Sequence, residues 1–163
     1  MTDATGPEAG IDPESINFLV NELARLFRCE FERRIAQENL SVTPAEARVL
    51  AHIARDGAPR QTVLAERLGV AAMSLTGFLD RLEAAGLVER VPDPVDRRAK
   101  RPQLTPAARP VLARVARIGA EVRAVAREGI SDAEWKAMRD AIRRARDNLA
   151  RARETDRTEQ GAA

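Results

Sequence analysis

Two short helical patterns separated by a glycine and followed at once by a charged ribbon constrain the fold of this chain most strongly. The first pattern, residues 61–68, stops at Gly69, and the second, residues 72–85, repeats apolar residues at helical spacing. A glycine just past the last periodic residue marks the end of a helix. Two such helices and a β-ribbon make a winged helix–turn–helix. The sequence therefore predicts this domain over residues 41–105.

The ribbon, residues 92–105, reads PDPVDRRAKRPQLT and joins two β-capable pieces, 87–91 and 102–104. Its cations repel one another and bury little apolar area, so folding alone does not favour their clustering. A polyanion that releases counterions on contact does favour it. A charge run by itself is more often a solvated face, but beside a helix–turn–helix it indicates binding to double-stranded DNA.

Long amphipathic patterns flank this domain. One covers about residues 13–38, and two more fill residues 106–153 with apolar residues three and four apart. We expect residues 12–40 and 106–153 to form a dimerisation layer, because a single copy offers too little other core to cover these seams. A monomeric helical layer folded onto the small domain is the alternative. The predicted class is mainly α, with disordered ends at 1–11 and 154–163.

Composition excludes several classes of protein. The chain has one cysteine, Cys29, and one histidine, His52, which leaves no disulfide framework and no metal-ligand cluster. It also lacks a glycine-rich phosphate loop and a plausible nucleophile with its base, so we expect neither an enzyme nor a cofactor. No signal segment and no apolar run of roughly 18 residues is present. These features predict a protein of the cytoplasm, not of the membrane.

Four segments, VTPAEARVL, LAERLGV, SLTGFLDRLEAAGLVERVPDP and VDRRAKRPQLT, resemble the MarR family of bacterial transcriptional regulators. The resemblance implies an obligate homodimer with one winged helix per subunit. It also implies a nucleoid-associated regulator that represses nearby genes from an inverted-repeat operator, with release by a ligand or an oxidant. Gly77 departs from the family, which commonly has an arginine there, so base readout is expected to be weaker or shifted. Ala108 stands where the family has a glycine.

The recognition helix turns its leucines inward, which leaves its other residues to meet DNA. In the ribbon, Asp96 and Arg98 match the family's D-x-R element, whose arginine suits a narrow minor groove. Alternation along the ribbon turns at least one of its other cations away from DNA. Arg81 is expected either to contact a phosphate or to form an intramolecular ion pair. The predicted DNA-binding residues are Ala72, Met73, Ser74, Thr76, Gly77, Arg81, Asp96, Arg97, Arg98, Lys100 and Arg101.

The resemblance also implies an effector pocket between the winged domain and the dimer layer, which usually takes an aromatic or phenolic anion. Arg25, Arg28 and Arg48 are candidates for its cation, although ion-paired or solvated arginines explain them equally well. Cys29 is a candidate redox sensor, but the chain lacks the tyrosines that tune the thiolate in the hydroperoxide-sensing branch. A protein-interaction module or a chromosome binder without sequence preference stays open as an alternative function. Winged helices are used for both, and a fold does not determine a function.

Overall fold

The computed structural model describes residue 12, residues 14–96 and residues 99–160, with side chains up to 155. Within these residues the chain forms six helices and one two-stranded antiparallel sheet, in agreement with the predicted winged-helix class. The elements are α1 (Ile16–Gln37), α2 (Pro44–Asp56), α3 (Gln61–Leu68), α4 (Ala72–Ala84), β1 (Val88–Pro92), β2 (Lys100–Leu104), α5 (Ala108–Ala126) and α6 (Asp132–Gln160).

Two compact units divide the chain, residues 1–123 and residues 124–163. The first contains α1, the whole winged helix and most of α5, whereas α6 belongs to the second. The sequence instead groups residues 12–40 with 106–153 as one layer. That grouping concerns an assembly of two copies, and it stays a prediction.

The core of the first unit lies where helices α2, α3 and α4 meet. Leu50, Leu64, Leu79 and Leu82 have no exposed surface, and each contributes roughly 1.5–3 kcal/mol by leaving water. Ile118 of α5 joins the same cluster. The apolar spacing read from the sequence therefore fixes which face of each helix is buried.

Local end signals position α2. The Thr43 hydroxyl accepts the Glu46 backbone N–H, and the Glu46 carboxylate accepts the Thr43 backbone N–H, which completes a capping box with Pro44 at the first helical position. Gly57 ends the helix at φ 64°, a conformation that costs other residues more. The Thr-x-x-Glu spacing and the glycine after the last apolar residue predict these two ends of the helix, and the structure confirms both.

The limits of the outer helices differ from expectation. Helix α1 begins at Ile16 after Ser15 rather than near residue 13, because the Asp12 carboxylate accepts the Glu14 backbone N–H in a separate turn. Helix α6 continues to Gln160, where the sequence predicts disorder from residue 154. Polar composition ends the apolar seam, yet it does not by itself end a helix. The predicted disorder of residues 1–11 lies outside the described residues.

The ribbon pairs β1 with β2 in a register that runs from Val88 opposite Leu104 to Pro92 opposite Lys100. Val88 and Pro102 are buried and anchor its inner face. At its base the Thr105 hydroxyl donates to the Gly86 carbonyl at 2.6 Å. This hydrogen bond ties the ribbon to the end of α4. The ribbon, residues 88–104 with their connecting turn, is the wing of the domain.

Within the described part of the chain, no single helix has both the length and the apolar character to cross a bilayer. Helices α3 and α4, bent by 108°, meet that test only when they are taken together, on length and composition alone. The same residues include no group of three or more His, Cys, Asp or Glu that could hold a metal ion.

Candidate nucleic-acid interface

Helix α4 separates its faces as the sequence predicts. Leu75, Leu79 and Leu82 are buried, and Met73 at the opposite face is 87% exposed. Ala72, Ser74 and Thr76 are exposed with it. The Thr76 hydroxyl donates to the Ala72 carbonyl at 3.0 Å, which still leaves the hydroxyl oxygen able to accept a further hydrogen bond. The amino-terminal half of α4 therefore presents an open surface of small and polar side chains.

Gly77 lies half-buried on this helix. A Cβ at this position would lie 3.6 Å from Arg81 Nη1, an ordinary contact distance. The fold therefore does not require a glycine here. In a helix interior, glycine lowers helix stability by about 1 kcal/mol relative to alanine. The absence of a side chain at Gly77 flattens this part of α4, and base readout by the neighbouring Ser74 and Thr76 stays a prediction.

Arg81 forms an intramolecular ion pair. Its Nε donates to Glu46 Oε1 at 2.5 Å, and its guanidinium lies 5.3 Å from the centre of the Phe78 ring. Burial alone would raise the pKa of Glu46, but hydrogen bonds from the Thr43 backbone N–H and from Arg81 outweigh it and lower that pKa. Of the two roles expected for Arg81, the structure shows the ion pair. A phosphate contact stays a prediction.

Asp93 follows β1 at the start of the wing turn, is fully buried and holds two arginines, one 8 and the other 33 positions away in the sequence. Its Oδ2 accepts Arg60 Nε and Arg101 Nε, both at 2.7 Å. Its Oδ1 accepts the backbone N–H groups of Val95 and Asp96 at 2.8 and 3.1 Å. Asp93 therefore shapes the turn of the wing and joins β2 to the start of α3.

These contacts keep Asp93 ionised. Hydrogen bonds from Arg101 and Arg60 hold the pKa of its carboxyl far below the ordinary range, against the effect of burial. The same contact with Asp93 raises the pKa of Arg60. The sequence does not reveal this cluster, because Arg60 and Asp93 are 33 positions apart and no periodicity links them. Arg101 was predicted to contact DNA, and in the structure it bonds Asp93 instead.

The other predicted wing residues divide into described and undescribed positions. Lys100 is exposed on β2 opposite Pro92, and Asp96 is exposed in the turn. The Asp96 carbonyl accepts the Ala99 backbone N–H at 2.9 Å. Arg97 and Arg98 lie outside the described residues, so the D-x-R contact with the minor groove stays a prediction.

Arg90 is a further residue that sequence analysis missed. It extends from β1 and donates to Asp80 at 2.6 Å and to Glu83 at 2.5 Å, both on α4. Its side chain is mostly buried. These two ion pairs hold the wing against the recognition helix α4. Arg90 therefore has a structural role within the domain.

The three arginines predicted for the effector are not brought together in one pocket. Arg48 donates to Glu32 and to the Leu68 carbonyl, and Arg25 pairs with Glu22 at 3.3 Å. Arg28 and Cys29 lie on the exposed surface of α1. A cavity of about 430 Å³ lies elsewhere in the first unit. It is lined by Leu40, Ser41, Val42, Thr43, Glu46, Arg81, Leu82 and Ala85.

The profile of the MarR family matches residues 42–100, the capping box of α2 through the start of β2. The solved structure of transcriptional regulator PA3341 is 36% identical, covers 84% of this chain and 99% of its own, and superposes with a TM-score of 0.71. This protein belongs to the MarR family. Its members are DNA-binding transcriptional regulators, and the winged helix described above is the element that they share.

Two further solved structures extend the comparison to other organisms. A MarR-family regulator from Silicibacter pomeroyi is 26% identical, covers 82% of this chain and 88% of its own, and has a TM-score of 0.70. BpsR from Bordetella bronchiseptica, whose DNA binding is regulated by 6-hydroxynicotinic acid, is 22% identical, with coverages of 87% and 99% and a TM-score of 0.64. At that identity BpsR supports the fold alone.

Proposed function

We propose that this MarR-family protein is a homodimeric repressor that binds an inverted-repeat operator and leaves it when a small aromatic acid binds. The observation that carries the DNA part is the open amino-terminal half of α4 beside a braced wing. Arg90 holds the wing to α4, and Arg60 holds it to the start of α3 through Asp93. A ribbon fixed in this way presents its remaining cations to phosphates and the groove at little entropic cost.

Exposed apolar side chains support the homodimer. Ile16, Phe18 and Leu26 on α1 each leave about half or more of their surface open in the single chain. Leu149 on α6 is 70% exposed. Large apolar residues gathered on one helix mark an interaction surface. A second copy of the same chain suits it, because a twofold axis presents two recognition helices to half-sites about one DNA turn apart.

Competition binding tests the sequence preference. Labelled DNA from the region upstream of the gene is bound at 150 mM salt and then challenged with unlabelled operator or with random duplex. We expect the operator to compete at least about 10³-fold better, the lower end for specific DNA-binding proteins. Equal competition by both duplexes would identify a chromosome binder without sequence preference, and no binding would favour a protein-interaction module.

The effector part of the proposal rests on the lining of this cavity and on the regulation of BpsR by an aromatic acid. The cavity combines apolar walls from Leu40, Val42 and Leu82 with the Arg81 guanidinium, whose Nε–H is already bonded to the Glu46 carboxylate in the same lining. The terminal N–H groups of Arg81 suit an aromatic carboxylate. BpsR responds to such an acid. An effector can release the protein only through tighter binding to the DNA-incompetent state, and a tenfold loss of affinity needs about 1.4 kcal/mol of that difference.

Operator release by 6-hydroxynicotinate or salicylate, compared with release by cumene hydroperoxide, separates the ligand from an oxidant. The aromatic acids should lower operator affinity at least about tenfold in wild type and in Cys29→Ser alike, because the cysteine lies exposed outside the cavity. Benzyl alcohol, which lacks the carboxylate, is the matched control. If peroxide alone releases wild type and Cys29→Ser stays on DNA, then Cys29 is the sensor and the ligand-gated account is wrong.

A further inference from the structure

Two guanidinium groups bond the single buried carboxylate of Asp93. A buried ion must be paired, and the four N–H groups that Asp93 accepts fill the acceptor sites of both its oxygens. Arg101 supplies that pair from the neighbouring strand, with its side chain 27% exposed. Arg60 adds a second guanidinium from the start of α3. Arg60 therefore reaches this carboxylate from outside the wing and is held in place by it.

Arg60 keeps hydrogen-bond donors beyond the one that Asp93 accepts. Its contact with Asp93 uses the Nε–H, and the other four N–H groups of a guanidinium are on the two terminal nitrogens. Its side chain is 47% exposed. Asp96 in the exposed turn of the wing contributes to the electrostatic field at Arg60, which places the guanidinium next to the wing turn. Arg60 is thus a restrained cation at the junction of α3 and the wing.

We propose that Arg60 is a DNA-backbone contact, and that Asp93 positions its guanidinium to bind a phosphate beside the wing. The proposal rests on the DNA-binding function proposed above and adds a residue that the sequence does not single out. A guanidinium binds phosphate through paired N–H groups. Because Asp93 already fixes the side chain, little further rotamer freedom is lost on binding. Such a contact fixes the position of the protein on the duplex and carries no base information.

The α3 helix itself supplies a matched control. Arg67 near the opposite end of α3 pairs with Asp56 through its guanidinium, and its side chain is also 47% exposed beside a mostly buried carboxylate. Arg60→Gln and Arg67→Gln therefore remove the same charge from the same kind of ion pair. A purely structural role predicts similar effects of the two changes, whereas a phosphate contact at Arg60 predicts different salt dependence.

The test measures operator affinity as a function of salt for wild type, Arg60→Gln and Arg67→Gln. Each phosphate contact contributes about 0.9 to the slope of log affinity against log salt, so a dimer without two contacts should lose about 1.8. We expect that loss in Arg60→Gln, together with equally weakened binding to random duplex, and the wild-type slope in Arg67→Gln. Equal slopes in all three proteins would overturn the role of Arg60. Absence of operator preference in wild type would overturn the underlying function instead.

A second measurement does not depend on the glutamine variant. Ethylation interference maps the phosphates that wild type needs, and Arg60→Lys keeps a cation beside Asp93 while it removes the planar fork. We expect interference to weaken at one phosphate in each half-site in Arg60→Lys, with the rest of the map unchanged. A map identical to that of wild type would contradict the contact.

Discussion

Asp93→Asn should lower the melting temperature by roughly 5–10 °C and weaken operator binding more than about tenfold. The amide removes the charge that holds Arg60 and Arg101, and it leaves two guanidinium groups facing each other beside a neutral side chain. It also weakens the acceptor for the backbone N–H groups of Val95 and Asp96. The wing then loses both its turn and its link to α3. Differential scanning fluorimetry and operator titration measure the two effects.

Glu89→Gln is the control, because it removes a carboxylate charge from an exposed position on β1 of the same ribbon. It should leave the melting temperature within about 1–2 °C of wild type, as surface substitutions generally do. If Asp93→Asn melts at the wild-type temperature, the buried cluster does not organise the wing, and the positioning role given to Asp93 is wrong.

The difference in melting temperature between wild type and Asp93→Asn should depend on pH. The pKa of Asp93 lies far below its ordinary value in the folded protein, so the stabilisation is complete above the unfolded carboxyl pKa of about 3.9 and falls as the pH drops below it. The gap in melting temperature between wild type and Asp93→Asn should be full at pH 7 and should narrow below about pH 4. A gap that widens on acidification would contradict the ion pairs.

Leu149→Asp should convert a dimer at low micromolar concentration into aggregated or unfolded protein rather than a stable monomer. Leu149 is 70% exposed in the single chain, and burial of a leucine side chain against a partner is worth roughly 1.5–3 kcal/mol, counted once for each subunit. A carboxylate at the same position would be buried without a partner. Multi-angle light scattering measures the mass, and fluorimetry measures the loss of folding.

Asn148→Asp adds the same charge one position away, outside the apolar seam of α6, and should leave the dimer intact. Both variants are scored at the same protein concentration, because the stability of a dimer depends on it. A wild-type protein that scatters as a folded monomer across the micromolar range would refute the dimer.

Local signals predicted most of the fold. The predicted limits of α3 coincide with the observed helix, Gln61–Leu68, because a glycine ends it in the left-handed conformation. The Thr-x-x-Glu spacing at Thr43 and the Ser-x-x-Glu spacing at Ser131 also predict capping boxes, and both boxes form. Such signals act over a few residues and can be read from spacing alone.

The residues that organise the interface could not be predicted in this way. Glu46 and Arg81 meet across 35 positions, and Arg60 and Asp93 across 33. In the sequence Arg60 and Asp93 look like ordinary surface charges, and Arg81 could be either a phosphate contact or an ion-pair partner. Only the packing of α2, α3 and the ribbon around one core brings these charges together, so a sequence pattern without contacts cannot separate a DNA-binding arginine from an internal brace.

Footprinting of the DNA upstream of the gene, with wild-type protein at physiological salt, tests the central claim most directly. A dimer of winged helices should protect an inverted repeat whose half-sites are centred about 10–10.5 base pairs apart, or a multiple of that distance. Protection should appear at the same protein concentration in both half-sites. Uniform coating of the fragment, or protection of one half-site alone, would contradict a homodimeric, sequence-specific repressor.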